Sequence, residues 1–349
     1  MSENQFLFTR HPGLEKSWPF LHERMVTRLD ELGTTLVLNT ESKEPIHQQI
    51  ELENVVGIAR FGGNLTVECV ASAPKLRVVG TMEDNTGTRD PFDALRARNI
   101  PLIESTRAWA QSVAECAFGL ALSSLRRTAQ WHHRMVNREP LWTYNYGQYC
   151  DAPDFVNGDL GTKHIGVVGL GQIGRKIAQW CKAFGATVDG YDPFVNESLL
   201  KEWDVRPVDM DMLVSEAEIV FIAVPPTPSS RHLLSRERIY RLRKGALVVA
   251  ITRAFAIDMD ALRERILADE LAGAFDVYDV EPLPVDDPLR GRDNVVHTPH
   301  IAGRTKDANL RVADMIVDDF VRVLNGEEPL GALTPKAAAV RTQNLELPF

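Results

Sequence analysis

The stretch Val167–Gly174, which reads VVGLGQIG, is the most informative part of the sequence because its glycines follow the spacing Gly-x-Gly-x-x-Gly directly after an apolar run. The first glycine permits a tight turn, the second lets the backbone approach a pyrophosphate, and the third lets a helix pack closely on the strand. The helix that begins here presents free N–H groups and the positive end of its dipole to phosphates. The stretch therefore predicts a dinucleotide-binding turn. The predicted contacts are Gly169, Gly171, Gln172, Ile173 and Gly174.

The residues after this turn indicate which dinucleotide it binds. A helix is predicted from Gly174 to Phe184 and a strand over Thr187–Tyr191, and Asp192 follows about 20 residues beyond the last glycine. A carboxylate there accepts hydrogen bonds from the adenosine ribose hydroxyls and repels a 2′-phosphate. Because no arginine or lysine follows in residues 193–196, the sequence favours NAD over NADP.

Strand and helix patterns alternate on both sides of the turn. Short apolar runs are typical of buried parallel strands, and apolar residues at helical spacing between them, as in Phe20–Leu32, indicate crossover helices. Strands that alternate with helices form parallel sheets, so the predicted fold class is α/β with doubly wound parallel sheets. The predicted strands are Phe6–Phe8, Leu36–Leu38, Val55–Ala59, Leu76–Gly80, Ile165–Val168, Thr187–Tyr191, Ile219–Val224, Ala246–Thr252, Ala272–Tyr278 and Val295–Thr298.

Four further segments organise the chain. Ser112–Arg127 is apolar around most of a helix and is predicted to be buried. Lys306–Leu324 predicts a helix that stops at the following Asn-Gly pair. The aromatic stretch Trp131–Gly161 predicts an irregular connection at a domain boundary, with a helix followed by a long surface loop as the alternative. The last residues, Lys336–Phe349, have the pattern of a tail.

Length, charge and cysteine usage exclude several classes of protein. A chain of 349 residues exceeds the size at which one core stops growing, so two domains are expected. A net charge of −9 argues against a nucleic-acid surface, and no apolar run reaches membrane-spanning length. The start lacks a signal-peptide pattern, which favours a cytoplasmic protein. Scattered cysteines predict reduced thiols and no metal site: Cys69, Cys116, Cys150 and Cys181.

Three polar residues each follow one of the last three predicted strands: Arg253, Glu281 and His300. The carboxyl ends of parallel strands are where ligands bind in open α/β sheets. An arginine fork holds a carboxylate, a histidine exchanges a proton with a hydroxyl or carbonyl oxygen, and a glutamate on that imidazole fixes its tautomer and favours its charged form. Taken singly, each residue fits an ordinary surface, structural or turn position. Together they favour acid–base chemistry on a small acid.

The chain resembles the D-isomer-specific 2-hydroxyacid dehydrogenases over nearly its whole length. The resemblance implies a Rossmann-type dinucleotide domain, residues 110–303, inserted into a smaller flavodoxin-like α/β substrate domain formed by residues 1–109 and 304–349. It also implies a cleft that closes by a hinge and a homodimer. The most specific matching segments are Val167–Asp192, Val224–Leu234, Arg253–Leu262, Asp276–Pro288 and Thr298–Gly303.

The resemblance also implies an activity and the residues that carry it. The activity is the NAD-dependent interconversion of a small 2-hydroxy acid and a 2-keto acid. In this family pattern Arg253 orients the substrate, His300 is the acid/base and Glu281 is its partner. The pattern places Asp276 near the nicotinamide ring. Further cofactor contacts are implied at Val224, Pro225, Thr252 and Gly303, and substrate contacts at Gly62, Thr81 and Met82 beside Arg253 and His300.

One loop departs from the family pattern and leaves alternatives open. Where the family carries Gly-x-Gly after the strand ending at Gly80, this chain carries Glu83 and Asp84. Because acidic groups repel an anionic ligand, either these side chains point away or the substrate is unusual, such as a sugar acid or another anion. The remaining alternative is an NAD-sensing binding protein, since related corepressors keep the same three residues. The absence of a basic cluster disfavours it.

Overall fold

The computed structural model describes residues 4–40, 43–82, 89–139 and 152–334. The chain divides into two compact units, one containing the residues up to Trp109 and from Arg304 onwards, and the other containing Ala110–Gly303. Each unit is built on its own sheet. Several residues considered above lie outside the described ranges, namely Glu83, Asp84, Cys150 and the segment Lys336–Phe349.

Strands and helices alternate through both units. The strands are β1 Gln5–Arg10, β2 Thr34–Asn39, β3 Val55–Phe61, β4 Val78–Thr81, β5 Leu102–Glu104, β6 His164–Val168, β7 Thr187–Tyr191, β8 Arg206–Pro207, β9 Ile219–Ile222, β10 Leu247–Ala250, β11 Ala272–Phe275 and β12 Val295–His297. The α-helices are α1 Leu14–Ser17, α2 Leu21–Asp30, α3 Ile46–Gln49, α4 Val67–Ala71, α5 Arg89–Ala97, α6 Ala110–Arg126, α7 Thr128–Val136, α8 Gln172–Ala183, α9 Glu197–Glu202, α10 Met210–Glu216, α11 Arg236–Arg241, α12 Met259–Leu267 and α13 Lys306–Leu324.

The first unit is a five-stranded parallel sheet in the order β2-β1-β3-β4-β5. Successive side chains of a strand point to opposite faces of a sheet. On β1, Phe6 and Phe8 join one apolar cluster and Leu7 joins another, and all three are fully buried. Both faces of this sheet are therefore covered, as a doubly wound fold requires.

The C-terminal helix α13 packs against this first sheet, which is why the unit is discontinuous in sequence. A Cβ atom at Gly57 would lie 2.9 Å from the Phe320 ring, and one at Gly80 would lie 2.6 Å from Ile316 Cγ2. These two strand glycines thus make room for the helix. The capping residue Thr305 accepts the Ala308 N–H at 3.1 Å and starts the helix where the sequence predicted.

The second unit is a seven-stranded parallel sheet in the order β12-β11-β10-β9-β6-β7-β8. Counted within the unit, this is the 3-2-1-4-5-6 Rossmann order with one added strand, so the predicted fold class is confirmed. The strand order reverses between β6 and β9, and a crevice at such a reversal is where α/β sheets bind dinucleotides.

The interpretation of Trp131–Gly161 as an irregular connection at a domain boundary is wrong in two respects. Trp131 lies inside α7, where apolar and long side chains favour a helix, and the stretch lies within the second unit because the division falls at Trp109. The alternative of a helix followed by a loop agrees with the described part. Residues 140–151 of the stretch lie outside the described residues.

Several strands are shorter than their apolar runs predicted. β9 ends at Ile222, β10 at Ala250 and β11 at Phe275, although the apolar runs continue beyond each. The residues after these ends stay buried while their backbone leaves the sheet. For example, the Thr252 hydroxyl donates to the Val224 carbonyl at 2.9 Å and ties together the turns after β9 and β10. Burial alone therefore overstates strand length where chain segments turn towards a site.

None of the helices in the described ranges is both long and apolar enough to cross a membrane. Three of the cysteines, Cys69, Cys116 and Cys181, are free thiols.

Candidate active site

The glycine-rich turn lies between β6 and α8 and has the geometry that its sequence predicts. Gly169 has φ of +88°, which side-chain-bearing residues rarely adopt, and its N–H donates to the Tyr191 carbonyl at 2.8 Å. A Cβ atom at Gly174 would lie 1.8 Å from the Gly169 carbonyl oxygen, whereas one at Gly171 would meet nothing within 4 Å. The open space at Gly171, next to the N-terminus of α8, fits the close approach of a pyrophosphate.

These contrasting environments give a matched pair of glycine variants. Gly174→Ala is expected to unfold the turn or lower thermal stability strongly, because the new methyl group meets backbone. Gly171→Ala is expected to leave the melting temperature unchanged and to weaken NADH binding by about tenfold, because its methyl group occupies the approach path. Thermal melts and fluorescence titration of NADH measure both effects. Full NADH affinity in Gly171→Ala would contradict the placement of the pyrophosphate.

Asp192 stands at the end of β7, next to the same turn. Its Oδ2 accepts the Leu170 N–H at 2.8 Å and its Oδ1 accepts the Phe194 N–H at 2.9 Å. The carboxylate is therefore fixed beside the glycine-rich turn. The residue also orders the turn itself, which the sequence did not indicate.

The turns after β9 and β10 are fixed by hydroxyl groups. Besides the bond from Thr252 to Val224, the Ser230 hydroxyl donates to the Pro225 carbonyl at 2.7 Å. Val224, Pro225 and Thr252 thus form one ordered edge beside the strand-order reversal. Gly303, the last residue of the second unit, is half-buried at the end of the loop that carries His300.

Glu281 and His300 are in direct contact. The His300 Nδ1 lies 2.6 Å from Glu281 Oε2, and the side chains remain 36% and 35% exposed. The Tyr278 N–H donates to the other glutamate oxygen at 2.9 Å and holds the carboxylate in place. His300 has φ of +53°, an uncommon conformation for a side-chain-bearing residue that often marks functional sites. Because Nδ1 contacts the carboxylate, Nε2 is the ring nitrogen left for a substrate.

Arg253 follows β10, the strand next to β11. Its side chain is exposed, and its Nη1 donates to the Thr252 carbonyl at 2.8 Å. Its guanidinium has no ion-pair partner within the described ranges, so its remaining N–H groups are available to an anionic ligand. The sheet order thus places Arg253, Glu281 and His300 after three neighbouring strands at one sheet edge.

Asp276 has a structural role that the sequence did not predict. It is fully buried, and both its carboxylate oxygens accept hydrogen bonds from the loop after β12. The Thr298 hydroxyl and the Ile301 N–H donate to Oδ1 at 2.6 and 2.9 Å, and the Ala302 N–H donates to Oδ2 at 2.9 Å. Asp276 therefore anchors the residues on both sides of His300.

Tyr278 extends this anchoring network. Its hydroxyl lies 3.0 Å from His297 Nδ1 and 3.3 Å from the Thr298 carbonyl oxygen. Burial, and then the neighbouring Asp276, raise the pKa of Tyr278, so its hydroxyl keeps its proton. Burial likewise raises the pKa of the Cys116 thiol on α6, to about 11, with Asp276 adding to the effect. The sequence feature that could have indicated this network is the position of Tyr278 two residues after Asp276, in the segment DVYDVEP.

The substrate residues predicted in the first unit lie after β3 and within or just after β4. Thr81 and Met82 are buried, and a Cβ atom at Gly62 would lie 2.5 Å from the His11 nitrogen. Gly62 thus lets two strand ends approach each other.

A cluster of possible metal ligands occurs in the described part of the second unit, at His164, Asp189 and Glu216. The Arg206 Nη2 donates to Asp189 at 2.7 Å and to Glu216 at 2.6 Å. Both carboxylates are thus paired with the Arg206 guanidinium, and the cluster is an ion-pair network.

Comparison with known proteins identifies the family. Residues 118–302 match the model of the D-isomer specific 2-hydroxyacid dehydrogenase, NAD binding domain. The chain is 32% identical over 309 residues to a D-3-phosphoglycerate dehydrogenase of Methanocaldococcus jannaschii, covering 88% of this chain and 56% of that protein. It is 30% identical over 308 residues to a hydroxypyruvate reductase of Thermotoga maritima, covering 85% and 96%. It spans a little over half the length of the two phosphoglycerate dehydrogenases that it matches.

Solved structures show the same fold. A D-lactate dehydrogenase from Aquifex aeolicus, complexed with NAD and lactic acid, superposes with a TM-score of 0.67 at 23% identity, covering 92% of this chain and 96% of that chain. A phosphoglycerate oxidoreductase from Rhizobium etli superposes with a TM-score of 0.79 at 23% identity, covering 94% and 97%. The family match, the Rossmann strand order and the glycine-rich turn agree, and the chain belongs to the D-isomer-specific 2-hydroxyacid dehydrogenase family, whose NAD-binding domain it contains.

Proposed function

We propose that the protein is an NAD(H)-dependent oxidoreductase that interconverts a small D-2-hydroxy acid and the corresponding 2-keto acid. The observation that carries the proposal is the 2.6 Å contact between His300 and Glu281, at the sheet edge where Arg253 is exposed. This acid–base pair lies in the unit that matches the NAD-binding domain of the family. The open space at Gly171 and the carboxylate of Asp192 beside it fit a bound NAD.

The proposed roles follow from the chemistry of each side chain. Arg253 binds the substrate carboxylate with two parallel hydrogen bonds and so orients the 2-keto group. His300 donates its Nε2 proton to the carbonyl oxygen during reduction and takes it back during oxidation. Glu281 accepts a hydrogen bond from the Nδ1–H group, keeps the ring in the productive orientation and stabilises its charged form. Bound NADH supplies the hydride that the keto carbon receives.

We assign the two units to two tasks. The second unit, Ala110–Gly303, binds the dinucleotide through the turn Gly169–Gly174, Asp192, Gly303 and the edge formed by Val224, Pro225 and Thr252. The fully buried Asp276 contributes by anchoring the loop that carries His300. The first unit contributes substrate contacts through Gly62, Thr81 and Met82. The family resemblance supports this division.

A panel of acids tests the proposal. Glyoxylate, hydroxypyruvate and pyruvate are offered with NADH, and D-3-phosphoglycerate is offered with NAD, while nicotinamide absorbance is followed. The first two and the last follow from the activities in the relatives' names. Turnover of at least one acid, with D- preferred over L-isomers in the oxidative direction, is expected. The proposal is wrong if no 2-keto or 2-hydroxy acid is turned over.

We also propose a cytoplasmic homodimer. The family resemblance supports the dimer, as do Met135 and Val136, which are 51% and 63% exposed on α7. The free thiols support a reducing compartment. Light scattering of the full chain is expected to give about twice its mass of 39.0 kDa, and a mass of one chain would contradict the dimer.

A further inference from the structure

The segment from Asp279 to Arg290, here called the glutamate loop, carries Glu281 on an exposed turn with no regular secondary structure. Glu281 itself contacts His300 and the Tyr278 N–H. A loop of this kind holds a side chain accurately only if other groups fix its backbone. The contacts that fix this loop therefore bear directly on the acid–base pair.

Arg263 on α12 contacts the loop at two residues, Asp279 and Asp287. Its Nη1 and Nη2 donate to the two carboxylate oxygens of Asp279 at 2.7 and 2.6 Å, and Nη2 also lies 3.3 Å from Asp287 Oδ2. The Arg263 side chain is only 15% exposed and that of Asp287 only 7%. The two acidic residues lie on either side of Glu281 in the loop, so one guanidinium joins its two halves.

Arg263 and Asp279 both stay charged at neutral pH. The hydrogen bonds to Asp279 raise the pKa of Arg263, and burial opposes them. Burial acts to raise the pKa of Asp279, but the hydrogen bond and charge of Arg263 outweigh it and lower that pKa. Such a bidentate pair is geometrically specific, which a lysine at the same position would reproduce only in part.

Other contacts fix the remaining parts of the loop. Arg290 donates to the Pro284 and Leu283 carbonyls at 2.7 and 2.6 Å, and the Leu289 N–H donates to Asp287 at 2.9 Å. These bonds all join residues of the loop to one another. Arg263 and His297 join the loop to the scaffold: Arg263 ties it to α12, and His297 Nε2, 3.0 Å from the Leu289 carbonyl oxygen, ties it to β12.

We propose that Arg263 is a positioning residue that sets the placement of Glu281 against His300 through its bidentate contact with Asp279 and its contact with Asp287. This inference rests on the proposed function, since it assigns Arg263 a part in the same acid–base step. Arg263 acts through the loop and does not touch the reacting atoms.

Several titratable groups lie near the pair and the neighbouring Tyr278, namely Asp276 after β11, Asp279 and Asp287 on the loop, Arg263 on α12, Arg290, His297 at the end of β12 and Cys116 on α6. A looser Glu281 stabilises the protonated imidazole less well. Reduction of a keto acid needs that proton, so the fall of kcat/KM at alkaline pH should begin at lower pH.

The test compares Arg263→Gln with Arg263→Lys and with a matched control, Arg236→Gln. Arg236 lies on α11 and also makes a bidentate pair with a residue of α12, Glu264, but it does not contact the loop. Arg263→Gln is expected to lower kcat on the order of tenfold and to move the alkaline limb of kcat/KM down by about 0.5 to 1 pH unit. Arg263→Lys should recover part of both effects, and Arg236→Gln should show neither.

A second readout does not depend on turnover. Each holoenzyme with NADH, labelled with ¹³C at histidine Cε1, is examined by NMR at one neutral pH, and the His300 signal is assigned by its loss in His300→Gln. The chemical shift of the His300 signal is expected to change in Arg263→Gln, because its contact with Glu281 is altered, and to match the wild-type value in Arg236→Gln. An unchanged His300 signal together with an unchanged pH profile would overturn the positioning role of Arg263, even if thermal stability fell. Failure of the wild-type protein to turn over any acid would instead overturn the proposed function.

Discussion

Replacement of His300 by alanine is expected to lower kcat by about 10²–10⁴-fold, because it removes the group that exchanges a proton with the substrate oxygen. NADH affinity should stay within about twofold, since the glycine-rich turn and Asp192 lie at other strands of the sheet. Steady-state kinetics with the best acid of the panel, together with fluorescence titration of NADH, measure the two quantities separately.

A second histidine supplies the control for this variant. His133 lies on α7, is exposed, and contacts Asn137 of the same turn at 2.9 Å. His133→Ala should keep the wild-type kcat. If His300→Ala also kept it, the assignment of the acid/base would be wrong.

Replacement of Asp276 by asparagine is expected to give the second large effect, although this residue needs no contact with the substrate to produce it. In the wild-type protein the carboxylate accepts hydrogen bonds from Thr298, Ile301 and Ala302. The asparagine amide would place an NH₂ group against at least one of these donors. Leaving hydrogen-bond donors unpaired against a fully buried side chain costs about 1–3 kcal/mol of stability. The loop around His300 should loosen as well, and a misplaced acid/base is expected to lower kcat by about 10²-fold.

A milder change in the same network, Thr298→Val, is the comparison for Asp276→Asn. Thr298→Val removes one of the three donors and leaves the other two paired, so it should cost about 0.5–1.5 kcal/mol and lower kcat much less. Urea unfolding and steady-state kinetics check both variants. Wild-type stability and kcat in Asp276→Asn would show that the carboxylate does not anchor the loop.

Local sequence patterns predicted the elements whose ends are fixed by their own residues. Helix α13 has the predicted bounds, Lys306–Leu324, because Thr305 caps its start and Gly326, with φ of +79°, follows its end. The glycine-rich turn has the predicted form for the same reason, since the clash at Gly174 and the torsion angle at Gly169 are properties of the local backbone.

Patterns that depend on distant packing were predicted less well. The apolar runs after β9, β10 and β11 continue past the strands because their burial comes from turns that cross at the sheet edge. The same cause hid the role of Asp276, whose partners at Thr298, Ile301 and Ala302 are more than 20 residues away in sequence. The pairing of Glu281 with His300 was predicted from their positions after neighbouring strands and from the family resemblance, and its geometry could come only from the structure.

Transfer of the hydride itself gives the sharpest test of the proposed function. NADH carrying deuterium at the transferred position of the nicotinamide is incubated with the enzyme and hydroxypyruvate or the best acid of the panel, and the product is analysed by mass spectrometry and chiral chromatography. A D-2-hydroxy acid with deuterium at C2 is expected from the wild-type protein, and a rate at least 10²-fold lower is expected from His300→Ala. An unlabelled product, an L-product, or equal rates for the two proteins would contradict the proposed function.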